Sequence, residues 1–285
     1  MNLVDQAEIA ARFPAQAEQE AGGVDLRRSV AELYRHRELL WIWTLREIKI
    51  RYKQSVVGVG WAILQPLVLM LAFTIVFSFL TRMPSEGAPY AVFSYVALLP
   101  WTFLATSIAF GVPSLVNNIN LVTKIYFPRE ILPIASVIAA FVDFLVAALV
   151  LVGLMWFYGV PVRPAILWVP LAIGIQMALT LGIVFLMAAV NVRYRDIRFL
   201  VPLGMQLWMY ASPVIYPVNV VPESVRSWYM LNPMSVLIET YRGALLYGRT
   251  PHITDIAVTA VISVALLIAG YWHLKRAEGS FADII

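Results

Sequence analysis

Six long apolar stretches, each bounded by polar or charged residues, dominate the pattern of the chain. They cover residues 61–80, 90–116, 131–158, 164–192, 199–217 and 253–274. About 20 consecutive apolar residues let an α-helix cross the hydrocarbon core of a bilayer. The pattern therefore predicts an all-α membrane protein with six transmembrane helices, in one domain formed by residues 58–285.

A polar interruption at residues 117–133 separates the second apolar stretch from the third. It carries too much charge to lie in hydrocarbon, yet it also has a face of large apolar side chains. Pro128 and Pro133 limit the length of a helix here, since proline removes a backbone donor and disfavours helical geometry in the preceding residue. We expect a short helix at the membrane surface that docks on a protein partner. Its apolar face contains Leu121, Val122, Ile125, Tyr126 and Phe127, and its solvated face contains Lys124, Arg129 and Glu130.

Before the first span, the sequence divides into a polar tail, residues 1–24, and a basic, aromatic segment, residues 25–57. Within that segment Trp41, Leu45, Ile48 and Tyr52 have the spacing of one helical face. Tryptophan and cations both favour the headgroup region, so we expect an amphipathic helix in the interface. The helix is either a topological anchor or a cuff that also contacts a cytoplasmic partner. Its cations are expected near anionic lipid, and they are Arg27, Arg28, Arg35, Arg37, Arg46, Lys49, Arg51 and Lys53.

Composition and charge determine the setting and the orientation. The chain has 285 residues, of which 61% are hydrophobic and 13% charged, and its mean hydropathy of +0.77 is too high for a soluble domain. All but five of the 21 Lys and Arg fall on one side of the predicted spans, which the positive-inside rule assigns to the cytoplasm. Both termini and residues 117–133 are therefore expected in the cytoplasm. The cations on the outer side are Arg82, Arg163, Arg226, Arg242 and Arg249.

Residues 218–252, between the fifth and sixth stretches, form two short apolar runs separated by Asn232 and Pro233. Each run is too short or too charged to cross a bilayer. Broken backbone at membrane depth is tolerated only inside protein or beside a watery cavity. We expect a re-entrant pair of half-helices that flanks a pathway, with an external amphipathic hairpin as the alternative. Glu239 and Arg242, three residues apart, can pair in either arrangement.

Residue types that carry enzyme chemistry do not form a recognisable constellation in the sequence. Residues 243–250 have the spacing of a phosphate-binding loop, but Arg249 replaces the lysine and bulky side chains stand where backbone must wrap phosphate. The three histidines lack metal-ligand spacing. Asp143 is the one acid well inside a span, and we expect it to face the bundle, as a structural or a functional acid. The prediction is a chain with no catalytic, cofactor or metal site of its own.

Aromatic residues make up 13% of the chain. Most are expected in the headgroup belt or facing lipid. A subset that faces a pathway would suit a sugar chain, because Tyr and Trp combine apolar area with a polar group. The candidate substrate path consists of Phe73, Trp101, Trp208, Tyr210 and Tyr216.

Five motifs, found in a fixed order, give the chain a family resemblance. From about residue 39 to the C-terminus it resembles the membrane subunits of ABC-type polysaccharide exporters, the type-2 permeases of the O-antigen and teichoic-acid branch. The motifs are Arg51-Tyr52-Lys53-Gln54-Ser55-Val56-Val57-Gly58 with Trp61 and Pro66, Lys124-Ile125-Tyr126-Phe127-Pro128-Arg129-Glu130, Asn191-Val192-Arg193-Tyr194-Arg195-Asp196-Ile197, Ser212-Pro213-Val214-Ile215-Tyr216-Pro217, and Asn232-Pro233 with Glu239 and Arg242.

The resemblance implies a function that spacing alone does not give. It implies a homodimeric permease in the bacterial cytoplasmic (inner) membrane that exports a lipid-linked polysaccharide between its two copies. Two separate ATP-binding subunits would hold the ATP and Mg, and no nucleic acid is involved. A type-2 permease for a drug or lipid is the alternative. A membrane-embedded transferase for lipid-linked sugars fits less well, because Asp143, Asp196, Glu130 and Glu239 lie at three different levels.

The resemblance also assigns roles to two segments. The loop after the second span would form a coupling helix that docks the ATP-binding subunit, and residues 222–247 would form outer gate helices. The coupling residues are then Asn118, Leu121, Lys124, Tyr126, Phe127, Arg129 and Glu130, and the outer gate residues are Trp228, Tyr229, Glu239 and Arg242.

Overall fold

The computed structural model describes residues 26–53, 55, 57–119, 127–194 and 196–278. All regular elements within these ranges are helical. In chain order they are α1 (Leu26–Arg35), α2 (Arg37–Tyr52), α3 (Trp61–Phe73, continued by π-helical turns over Thr74–Leu80), α4 (Tyr90–Gly111), α5 (Ser114–Asn117), α6 (Ile131–Phe157), α7 (Trp168–Arg193, preceded by the 3₁₀ turn Pro164–Leu167), α8 (Ile197–Tyr210), α9 (Glu223–Tyr229), α10 (Pro233–Arg242, continued by π-helical turns over Gly243–Tyr247) and α11 (Ile253–Glu278).

Five helices in the described part of the chain are long and apolar enough to cross a membrane. They are Trp61–Leu80, Tyr90–Gly111, Ile131–Phe157, Pro164–Arg193 and Ile253–Glu278. Each coincides with a stretch predicted from hydropathy. The predicted span at residues 199–217 differs, because α8 has 14 residues and ends at Tyr210. Its rise of about 21 Å falls short of the hydrocarbon thickness, and Pro213 explains the stop by disfavouring helical geometry in Ser212.

Helix α4 lies at the centre of the bundle. In the most apolar 18-residue segment of α4, 83% of the residues are buried, compared with 11% in the corresponding segment of α3 and its extension. It packs against α3, α6, α7, α8 and α10. Two of its neighbours remain largely uncovered, since α3 buries only Pro66 and Met70, and α8 buries no residue.

Helices α7 and α11 run side by side in the same direction. Gly182 of α7 faces Leu266 and Leu267, and Gly270 faces the carbonyl of Gly182. One turn further along both helices, the rings of Phe185 and Tyr271 meet edge to face, 5.7 Å apart. A Cβ on Gly182 would lie 2.6 Å from the backbone nitrogen of Leu267, so the absence of a side chain permits this approach.

The predicted interfacial segment consists of two helices, α1 and α2, which meet at His36. Helix α2 packs along α6, and its buried residues are Trp43 and Thr44. Trp41, expected on the apolar face, has 62% of its surface exposed. Leu45, Ile48 and Tyr52 of the same face are half-buried, and the place of α2 in the interface stays a prediction.

The two short apolar runs of residues 218–252 have different environments. Helix α9 has no buried residue, whereas eight of the ten residues of α10 are buried. Helix α10 contacts α4, α7 and α11. The Asn232 side chain accepts a hydrogen bond from the backbone N–H of Met234 and caps α10, so the predicted break at Asn232 and Pro233 is the start of a buried helix.

Candidate functional site

A network of charged side chains joins the end of the 117–133 segment to the end of α11. Glu130 is 1% exposed, and its carboxylate lies 2.8 Å from Nζ of Lys275. The hydroxyl of Tyr271 donates to the same carboxylate, at 3.2 Å. Lys275 also pairs with Glu278, and Arg129 donates to the backbone carbonyl of Glu278. The prediction that Glu130 is solvated was wrong, because a basic partner from α11 covers it.

Two of the remaining predicted coupling residues, Phe127 and Asn118, lie within the described residues, and three do not. Phe127 is 8% exposed and packs in a core with Ile131 and Trp43, so its ring is not part of an open surface. The side-chain oxygen of Asn118 accepts a hydrogen bond of 2.9 Å from Arg46 of α2. The others, Leu121, Lys124 and Tyr126, lie outside the described residues. We call the end of the bundle that holds Glu130 the Glu130 end.

A second buried ion pair ties α2 to the middle of α6. Arg51 Nη1 lies 2.8 Å from Asp143 Oδ2, and Arg51 Nη2 donates to the carbonyl of Ser136 at 2.8 Å. Tyr52 donates to Asp143 Oδ1 at 2.6 Å, and burial together with this bond raises the pKa of Tyr52. The Arg51 guanidinium also lies over the Phe110 ring, at 4.2 Å.

The Arg51–Asp143 pair confirms the predicted environment of Asp143 and contradicts that of Arg51. Asp143 faces protein and is hydrogen-bonded, as predicted from its place in a span. Arg51 was expected near anionic lipid, but its side chain is 4% exposed. A buried acid in a span needs a partner, so the position of Asp143 indicates that it is paired. The sequence does not identify Arg51 as that partner, because the two residues are 92 positions apart.

The aromatic residues predicted to line a substrate path do not share one surface. Trp101 is 5% exposed and meets Trp208 edge to face, 6.0 Å between ring centres. Trp208 donates from Nε1 to Asn232, and Tyr216 donates to the carbonyl of Tyr210. These contacts join α4, α8 and the start of α10. Phe73 meets Phe77 in α3 and its π-helical extension, and Tyr210 is 54% exposed.

The predicted gate residues are also split between surface and interior. Trp228 is 76% exposed, while the Tyr229 hydroxyl donates to that of Tyr216 at 3.2 Å. Arg242, predicted on the outer side of the membrane, is buried and 1% exposed. It pairs with Glu239 at 3.4 Å, which confirms that local prediction.

Arg242 organises the turn that follows α8. Its guanidinium donates to the carbonyls of Pro213, Val214 and Tyr216, at 2.6, 2.9 and 3.2 Å. It also lies over the ring of Phe93, 3.6 Å from the ring centre. A single side chain of α10 therefore satisfies three backbone carbonyls in a loop that has no regular secondary structure of its own.

Segments predicted to be external meet at the opposite end of the bundle from Glu130. Glu86 accepts hydrogen bonds from Arg249 and Asn219. The Tyr247 hydroxyl donates a hydrogen bond to the carbonyl of Ser85, and the backbone carbonyl of Tyr247 accepts a hydrogen bond from Arg163. The structure thus separates the two groups of loops that charge counting assigned to opposite sides.

Long apolar helices, two separate polar ends and buried charges that join surface segments to spans are typical of a multi-pass membrane protein. Over residues 38–246 the chain matches the family described as ABC-2 type transporter, and it belongs to that family.

Curated relatives align with nearly the whole chain. The O-antigen export system permease protein RfbA of Myxococcus xanthus is 32% identical over 260 residues, which cover 90% of this chain and 99% of the relative. A Klebsiella pneumoniae protein of the same name is 29% identical over 253 residues, 87% of this chain and 95% of the relative. The polysialic acid transport protein KpsM of Escherichia coli is 23% identical over 231 residues, 79% and 88% of the two chains.

Proposed function

We propose that this chain is the permease subunit of an ATP-driven exporter that moves a lipid-linked polysaccharide of the O-antigen type across the cytoplasmic membrane. The observation that carries the proposal is the 32% identity to an O-antigen export permease across 90% of the chain. The chemistry of ATP hydrolysis belongs to a separate subunit that docks at the Glu130 end, through the segment that contains Leu121, Lys124 and Tyr126.

The coupling proposal is supported by the way the Glu130 end is connected. Glu130 and Arg129, which directly follow the proposed docking segment, are bonded to Lys275 and Glu278 at the end of α11. Asn118, which precedes it, is bonded to Arg46 of α2. A displacement of the segment by the ATP-binding subunit would reach α2 and α11 through direct polar contacts.

The six-span topology is supported by the direction of α7 and α11. Both helices cross the membrane in the same direction, and no other membrane-length helix lies between them in the described chain. The chain that connects them must therefore cross the membrane once in the opposite direction. Residues 194–252 connect the two helices, so we assign the return crossing to α8 together with the turn at residues 211–217. The buried α10 then forms the returning arm of a re-entrant pair, because Asn232 at its start lies beside Trp208 and Tyr247 beyond its end meets Ser85 on the outer side. Six crossings place both termini on one side, and the excess of Lys and Arg on that side assigns it to the cytoplasm.

We assign the uncovered faces of α3 and α8 to a second copy of the chain. Both helices contact α4 and expose large apolar residues, among them Val68 at 52% and Leu203 at 56%. The chain has no cysteine, so Val68→Cys and Leu203→Cys would be the only thiols. Oxidation should link each into a dimer, whereas Val261→Cys on α11 should stay monomeric. Monomers from all three would contradict the assignment.

The function is tested by reconstitution of the purified chain with its ATP-binding subunit in proteoliposomes. ATP should drive lipid-linked polysaccharide across the membrane. Tyr126→Ala should weaken binding of the subunit and export together. Trp156→Ala, at an exposed site near the opposite end of α6, is the matched control and should leave both unchanged. Transport of a drug or phospholipid without polysaccharide would favour the alternative permease. Polysaccharide transport without the ATP-binding subunit would refute the proposal.

A further inference from the structure

A cleft of about 400 Å³ lies between the end of α2 and helices α3, α4 and α6. We call it the Asp143 cleft. Its volume falls in the range of small-molecule sites, which are roughly 300 to 1,000 Å³. Alanines keep it open where larger side chains would fill it. They are Ala62, Ala105, Ala109, Ala140 and Ala147.

The floor of the Asp143 cleft carries unused hydrogen-bonding capacity. The Nε atom of Arg51 is buried and has no hydrogen-bond partner among the described residues, although both terminal nitrogens are engaged. Each oxygen of Asp143 accepts one bond, from Arg51 or Tyr52, and a carboxylate oxygen can accept a second. A buried donor without a partner is unfavourable, so a ligand acceptor that reaches Nε after a small shift of the Arg51 side chain is favoured.

The Arg51–Asp143 pair on the floor of the cleft favours neutral ligands over anionic ones. Arg51 and Asp143 neutralise each other across 2.8 Å. A phosphate at Nε would approach the Asp143 carboxylate, and like charges in such a site repel. A hydroxyl group instead both donates and accepts, and can therefore use Nε and a carboxylate lone pair. The floor thus suits a neutral, hydroxylated ligand.

The walls of the cleft add the second property that such a ligand needs. Trp61, Phe103, Phe110 and Phe144 supply aromatic surface, and Gln65, Thr102 and Thr106 supply amide and hydroxyl groups. Aromatic rings offer broad apolar area to a flat ligand. A pyranose ring has apolar faces and a rim of hydroxyls, which matches this combination.

We propose that the Asp143 cleft binds one sugar unit of the transported polysaccharide, with Arg51 and Asp143 as its hydrogen-bonding floor and Trp61 on its wall. The inference rests on the proposed function and names a place where the permease itself contacts the glycan. The site is separate from the cluster of Trp101, Trp208 and Tyr216, in which the polar groups of Trp208 and Tyr216 are already engaged by protein.

Labelling of a single thiol tests occupancy of the cleft directly. Ala109 is an exposed position on its wall, and Ala109→Cys would be the only cysteine in the chain. The probe is the oligosaccharide released by mild acid from the lipid-linked polysaccharide of the source cells. At about ten times the dissociation constant, one-site binding leaves about one cleft in eleven free, so maleimide labelling should slow about tenfold. Ala257→Cys, exposed on α11, should label at an unchanged rate.

Two results would overturn the proposal. One is equal protection of Ala109→Cys by a polyprenyl phosphate that bears no sugar, which would make the cleft a lipid site. The other is no protection by the oligosaccharide at about 10 mM, ten times a millimolar dissociation constant.

A cleft-filling variant separates this inference from the proposed function. Ala109→Leu should raise the polysaccharide concentration needed for half-maximal transport in proteoliposomes, while binding of the ATP-binding subunit stays normal. Ala257→Leu should transport as the unmodified chain does. If the unmodified chain exports polysaccharide and Ala109→Leu is indistinguishable from it, the cleft proposal fails and the export function stands. If the unmodified chain exports none, the function itself fails.

Discussion

The guanidinium carbon of Arg242 lies 3.6 Å from the centre of the Phe93 ring, in a site where the arginine is 1% exposed. The two residues are 149 positions apart in the chain. The ring packs against one face of the guanidinium, while the carbonyls of residues 213, 214 and 216 accept hydrogen bonds from its N–H groups. A single arginine thereby joins α4, α10 and the turn after α8.

Arg242→Met should destabilise the protein by at least about 3 kcal/mol, because it leaves several buried carbonyls without a donor. Arg242→Lys should recover little of this, since an ammonium cannot span three carbonyls as a planar guanidinium does. Denaturant titration in mixed micelles measures the free energy of unfolding. Arg249→Met is the control, because Arg249 is 67% exposed and should change stability by less than about 0.5 kcal/mol. Equal effects at the two positions would contradict the role of Arg242.

Loss of either member of the Arg51–Asp143 pair should cost about 3–5 kcal/mol, because the other charge is left buried and uncompensated. The double variant Arg51→Met with Asp143→Leu should cost less than the sum of the two single changes. Tyr52→Phe removes one hydrogen bond and should cost about 1 kcal/mol. The same titration applied to the full cycle measures the coupling. Strict additivity would mean that the pair contributes no interaction energy.

Reversal of one charge in the Glu130–Lys275 pair should disrupt the Glu130 end. Glu130→Lys places two cations where 2.8 Å now separates opposite charges, and Lys275→Glu does the same with anions. The exchanged double variant should recover part of the lost stability and part of the binding of the ATP-binding subunit. Thermal unfolding and co-purification measure these two quantities. If the double variant is as defective as the worse single one, the residues do not act as a pair.

Gly182→Ala should separate α7 from α11, because the added Cβ would meet the backbone of Leu266 and Leu267 rather than a side chain that can move. We expect a loss of about 1–3 kcal/mol, the usual cost of overpacking. Gly174→Ala in the same helix meets no atom within 4 Å and should be neutral or stabilising by up to about 1 kcal/mol. Equal stability of the two variants would show that the helices are not in close contact at Gly182.

The accuracy of the sequence predictions depended on the range of the interaction involved. The Glu239–Arg242 pair followed from a separation of three residues within one helix. The partners of Arg51 and Glu130 lie 92 and 145 residues away, and no spacing rule connects such positions. Burial of Phe127 also depends on which neighbouring helices cover it. The coupling, path and gate roles stay predictions, although the structure now gives the surroundings of most of these residues.

The sequence by itself determined five membrane-length helices, the polar interruption between the second and third of them, and the separation of basic from less basic loops. Hydropathy determines these features because each residue contributes to the cost of transfer into lipid largely independently of its distant neighbours. Tertiary structure alone decided that α10 is buried and that Arg51, Glu130 and Arg242 leave water. A buried charge is stable only with a partner at hydrogen-bonding distance, and in this protein folding brings those partners from other helices.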